Sequence, residues 1–144
     1  SRQSLPQFPR TKEMTQNIQR GGYILYEPEQ APTLILIATG SEVQLAIQAA
    51  QQTTIPTRVV SMPCCECFLA QDKAYQEHVL PQEIKHRIAI EALSGEYWYR
   101  FVGLHGTIIA LDRFGLSAPA SAAFNTLGFT VEHIINEINH LTGE

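Results

Sequence analysis

The chain has 144 residues, a length that fits one domain able to bury a core. Hydrophobic residues make up 44% and charged residues 17%, which excludes a disordered chain. The formal charge of -4 argues against a nucleic-acid domain, and the longest apolar runs are far too short to span a bilayer. No charged start followed by an apolar stretch opens the chain, so it carries no secretory signal as given. It begins at Ser1 instead of Met, which reads as a processed or excised piece.

Residues 1–20 are polar, contain Pro6 and Pro9, and show only a weak helical stretch from Thr11 to Gln19. They read as a linker into a domain over residues 21–144. Tyr23 to Tyr26 predicts a short opening strand, and the unbroken apolar run Leu34 to Ala38 a strand buried on both faces. A helix follows at once. Ser41 and Gln44 have capping-box spacing, and Val43, Ala46, Ile47 and Ala50 recur with helical period. Arg58 to Ser61 predicts a strand stopped by Pro63, and a polar helix from Asp72 to Val79 ends before Pro81.

Ile88 to Glu91 and Thr107 to Leu111 are two further strands. Pro119 opens a helix to about Leu127, with Gly128 as its stop. Thr130 caps the last helix, whose apolar stripe is Val131, Ile134, Ile135, Ile138 and Leu141. This alternation predicts a three-layer α/β/α fold with a mostly parallel sheet of about five strands, the first one antiparallel.

Ligands of open α/β sheets bind beyond the carboxyl ends of the strands. That rule points to Thr39-Gly40-Ser41-Glu42, to Ser61 through Cys67, to Glu91, and to Asp112-Arg113. Thr39, Gly40 and Ser41 form a candidate anion site, because amides at a helix start can hold negative charge. One glycine falls short of a phosphate-loop motif, and Ser41 also reads as a plain helix cap. Ser117, His105 and Asp112 supply nucleophile-set residue types, but no serine sits in a G-x-S-x-G elbow.

Cys64, Cys65 and Cys67 are crowded into four positions. An odd number packed so closely is a poor disulfide framework, and the expectation is three reduced, partly buried thiols. Cys64 and Cys67 do satisfy C-x-x-C, but a redox site wants that motif at a helix start, and zinc wants two further ligands. The five histidines are scattered without metal-ligand spacing. Tyr97, Trp98, Tyr99 and Phe101 form the richest aromatic cluster, to be packed over the sheet edge or turned outward to a partner.

Read in order, many short segments resemble the C-terminal domain of transketolases. They include Ser1-Arg2-Gln3-Ser4-Leu5, Arg20-Gly21-Gly22-Tyr23-Ile24-Leu25 and Leu36-Ile37-Ala38-Thr39-Gly40-Ser41-Glu42-Val43. Arg58-Val59-Val60-Ser61-Met62-Pro63, Tyr97-Trp98-Tyr99, Asp112-Arg113-Phe114-Gly115 and Ser117-Ala118-Pro119-Ala120 continue the series. Gly128-Phe129-Thr130-Val131-Glu132 closes it.

The resemblance implies a cytoplasmic homodimeric transferase that moves a two-carbon ketol unit from a ketose phosphate to an aldose phosphate in the pentose phosphate pathway. Its cofactors would be thiamine diphosphate and Mg²⁺ or another divalent cation, bound by domains this chain lacks. The chain alone would then be non-catalytic, with a structural, dimer-contact or regulatory role beside the other domains and the second subunit. Arg2, in the Ser-Arg-Gln segment that ends the preceding pyrimidine-binding domain, would hold the sugar phosphate in the intact enzyme. Its guanidinium fork suits two phosphate oxygens. The three cysteines depart from the family's usual residues. Two other classes compete: a stand-alone anion- or nucleotide-binding regulatory module using Thr39-Gly40-Ser41, and a small redox protein acting through Cys64 and Cys67.

Overall fold

The computed structural model describes residues 12–40, 42–91, 99–110 and 130–143. Its elements are α1 (Lys12–Gln19), β1 (Tyr23–Tyr26), β2 (Leu34–Ala38), α2 (Glu42–Gln52), β3 (Thr57–Ser61), α3 (Cys65–Leu69) and α4 (Lys73–Val79). They continue with β4 (His86–Glu91), α5 (Tyr99–Val102), β5 (Thr107–Ala110) and α6 (Val131–Thr142). The predicted helix from Pro119 to Leu127 lies outside the described residues.

The five strands form one sheet in the order β1-β3-β2-β4-β5. β1 runs antiparallel to β3, and every other pairing is parallel. β2 is central, which is why all five of its residues are apolar and buried.

Alternation along the strands divides the core into two. Leu34, Leu36, Ala38, Val59, Ile88, Ile90 and Ile109 face α2 and α6. Ile35, Ile37, Val60 and Ala89 face the other way, onto Phe68 of α3, Val79 of α4 and Phe101 and Val102 of α5. Ala46, Ala49 and Ala50 make the inner face of α2 a small-residue face, letting that helix lie close to the sheet. α6 presents Ile134 and Ile138 and is capped as expected, the Thr130 hydroxyl accepting the His133 amide at 3.1 Å. The result is three layers, helix, sheet and helix.

The chain leaves β2 toward α2 and returns in β3 on one side of it, whereas β4 and β5 lie on the other. Strand order therefore reverses between β2 and β4. In a doubly wound sheet this is the crevice where ligands bind.

Candidate functional site

At the carboxyl end of β2 the chain turns through Thr39 and Gly40. Gly40 has φ of +62°, a conformation that favours glycine. The amides of Glu42 and Val43 donate back to the carbonyls of Thr39 and Gly40, each at 3.3 Å. Two donors of the first turn of α2 are thus engaged by the turn itself. Ser41 lies outside the described residues, as do Arg2, Asp112, Arg113 and Ser117. His105 is exposed at the amino end of β5, the edge of the sheet opposite the strand carboxyl ends.

The end of β3 corrects the expectation of three reduced thiols. Pro63 does stop β3, but the chain immediately forms α3, a short helix absent from the sequence reading. Cys64 is its cap and Cys67 lies in its first turn. That geometry brings the two Cα atoms to 5.3 Å, inside the range a disulfide spans, and Cys64 is bonded to Cys67. The Cys67 amide donates to Cys64 Sγ at 3.2 Å. Cys67 is exposed, Cys64 half-buried, and Cys65 stays outside the bond.

This cysteine turn sits on the junction between α1 and β1. The Cys64 amide donates to the Gly21 carbonyl at 3.0 Å. Gly21 has φ of +85°, and a Cβ placed there would lie 2.6 Å from Cys67 Cβ and 2.5 Å from the Phe68 nitrogen. The Tyr75 hydroxyl donates to the Gly22 carbonyl at 2.7 Å, and the Arg20 guanidinium lies over the Tyr75 ring at 4.9 Å. Burial raises the Tyr75 phenol above its ordinary value, against the opposing pull of Arg20.

Two arginines that the sequence reading passed over fix the remaining loops. Arg58 points from β3 into a buried position, where Nε and Nη2 pair with both Glu27 carboxylate oxygens at 2.7 Å. Its Nη1 donates to the carbonyls of His78 and Val79, each at 3.0 Å, closing the end of α4. Arg87 on β4 donates to the carbonyls of Ile84, Phe101, Leu80 and Pro81 at 2.7–3.2 Å. Burial lowers its affinity for the proton, partly offset by the Glu77 carboxylate. The signal for both was an arginine inside an apolar strand, which needs several partners to be tolerated.

Beside Arg87 lies a cleft of about 490 Å³, walled by Leu69, Lys73, Glu77, Leu80 and Arg100. Phe101 forms its floor, only 3% exposed, so this member of the aromatic cluster packs inward instead of meeting a partner. Tyr97 and Trp98 lie outside the described residues. Among the described residues the large apolar side chains that face outward are Leu104, 99% exposed, and Leu69. Among the described residues no three His, Cys, Asp or Glu side chains gather as a metal site.

Sheet order, layer arrangement and the reversal between β2 and β4 define a doubly wound α/β domain. Residues 21–130 match the family model described as the transketolase-like TK C-terminal domain. The chain belongs to the transketolase C-terminal domain family. It is 51% identical to "Transketolase 1" of Vibrio vulnificus and 47% identical to "Transketolase 1" of Escherichia coli, in each case over 98% of this chain and 22% of the relative. Among solved structures it is similar to the transketolase from Leishmania mexicana, with a TM-score of 0.79 and 31% identity over 94% of this chain and 20% of that one. The Campylobacter jejuni transketolase gives a TM-score of 0.70 and 32% identity over 88% and 19%. The chain spans about a fifth of the length of the relatives it matches.

Proposed function

We propose that this chain serves as the C-terminal domain of a transketolase, which transfers a two-carbon ketol unit from a ketose phosphate to an aldose phosphate in the pentose phosphate pathway. The observation that carries the reading is similarity to transketolases over 98% of the chain, joined to a fold likeness to a solved transketolase with a TM-score of 0.79. The domain's part is structural. It packs on the other domains and on the second subunit of a homodimer, and the enzyme works in the cytoplasm.

Thiamine diphosphate and a divalent cation belong to domains outside this chain. Among the described residues no carboxylate, His or Cys set converges on one point to hold the cation. What the chain itself adds to substrate recognition is Arg2, whose fork would grip the sugar phosphate with two parallel N–H donors.

Steady-state kinetics of the full-length protein test this role. Arg2→Ala is expected to raise KM for a phosphorylated ketose donor by at least about tenfold, the equivalent of one charge-assisted bond. The KM for an unphosphorylated ketose should stay near that of the unaltered enzyme. An equal effect on both donors would contradict the assignment.

A further inference from the structure

We propose that Cys64 and Cys67 form a reversible thiol–disulfide exchange site, whose state sets how tightly the α1–β1 junction is held. Three observations meet at this turn. The two cysteines are bonded across the first turn of α3, and one of them, Cys67, is exposed to an incoming thiol or disulfide. Cys64 Sγ accepts the Cys67 amide at 3.2 Å, so a donor already stands where negative charge develops on that sulfur as the bond breaks. The backbone of the same turn holds Gly21, through the Cys64 amide and through the space that only a glycine leaves beside Cys67 Cβ.

These contacts assign different parts to the two sulfurs. In the reducing direction a thiolate of the glutathione class attacks the sulfur of Cys67, the exposed residue of the pair. The Cys64–Cys67 bond breaks, a mixed disulfide forms on Cys67, and Cys64 leaves as the thiolate, the better leaving group. A second glutathione thiolate then attacks the mixed disulfide, releasing oxidised glutathione and the Cys67 thiolate. Two electrons pass from two glutathione thiols to the protein disulfide, and the protons lost from those thiols balance the two protein thiols formed. Oxidation is the reverse. Oxidised glutathione is attacked by Cys67, and Cys64 resolves the mixed disulfide by displacing the second glutathione.

The junction feels the change because reduction frees two sulfurs that must move apart. A Cβ on Gly21 would stand 2.6 Å from Cys67 Cβ and closer still to the Cys64 carbonyl oxygen, and the Cys64 amide is the donor that holds the Gly21 carbonyl. Above that turn stands the segment leading back through α1 toward the start of the chain, anchored otherwise by Tyr75 on Gly22 and Arg20 on Tyr75.

The test uses the full-length protein equilibrated in glutathione buffers of increasing oxidised fraction, quenched by alkylation and digested with trypsin. The peptide running from Val59 to Lys73 is expected to pass from three alkylated cysteines to one, Cys65, with a single reversible midpoint. C64S is expected to trap glutathione on Cys67, whereas C67S should trap several-fold less on Cys64. Hydrogen exchange of the amides between Arg20 and Ile24 is expected to be several-fold slower in the oxidised protein, and insensitive to the buffer in the C64S/C67S double variant. Three alkylated cysteines at every ratio, or a bridge through Cys65, would overturn the exchange site. Equal exchange at the junction in both states would overturn its coupling to α1 and β1.

Discussion

The Arg58 guanidinium and the Glu27 carboxylate meet fork to fork, Nε on Oε1 and Nη2 on Oε2, each at 2.7 Å. Arg58 is nearly enclosed on β3, whereas Glu27, just past the end of β1, keeps 44% of its side chain in solvent. The asymmetry decides what each partner contributes. Arg58 also holds the carbonyls of His78 and Val79, so it joins the antiparallel edge of the sheet to the end of α4.

Arg58→Ala should therefore leave a carboxylate and two carbonyls without their donor and cost about 2–4 kcal/mol. Glu27→Gln keeps one acceptor and both carbonyl bonds, and should cost about 1 kcal/mol or less, as a largely solvated partner does. Native-state hydrogen exchange of the β3 amides measures both. Equal losses would contradict the division.

Gly21 and Gly103 share a positive φ, +85° and +70°, but differ in surroundings. A Cβ on Gly21 would overlap the cysteine turn, whereas one on Gly103 would meet nothing within 4 Å. Gly103→Ala should show only the conformational cost, about 1–2 kcal/mol. Gly21→Ala should exceed it, because α3 and the junction must separate as well. Urea unfolding of the two variants, compared side by side, checks the order.

Most of the sheet was legible in the sequence because its strands are short, apolar and bounded by Gly or Pro. Leu34–Ala38 and Tyr23–Tyr26 agree with the structure to the residue, and even the antiparallel first strand was expected. α6 was legible from the stripe Ile134, Ile138 and its Thr130 cap. α3 and α5 were not, because four or five residues are too short to show a helical period. Missing α3 concealed the cysteine geometry, since the pairing of Cys64 with Cys67 follows from the turn between them. For Phe101 the sequence left packing and partner contact both open, because aromatic content alone does not tell which way a side chain turns, and the structure shows packing. The Arg58 clamp depends on carbonyls and a carboxylate distant in sequence, and the Arg87 clamp on how the chain between Leu80 and Ile84 curls back onto β4, neither of which a local pattern displays.

Tyr75 gives the domain a dependence on alkaline pH. Its phenol ionises above the ordinary value of 10.0 in the folded state, chiefly because burial disfavours the anion. The unfolded chain therefore releases this proton first as pH rises. The contribution is complete below about pH 10 and is lost as pH climbs through the folded-state value. Tyr75→Phe should remove that part of the alkaline slope, and at neutral pH should cost about 1 kcal/mol for the bond to Gly22. Urea midpoints between about pH 8 and 11 measure both. An unchanged slope in the variant would mean that other groups account for it.

The most direct test of the functional reading is a ketol-transfer assay on the full-length protein that carries this domain, with thiamine diphosphate, Mg²⁺, a ketose phosphate donor and an aldose phosphate acceptor. The expected result is a product two carbons longer than the acceptor, dependent on the cofactor and absent when this chain is supplied alone. Failure of the full-length, cofactor-loaded protein to transfer the two-carbon unit, or transfer by this chain alone, would contradict it.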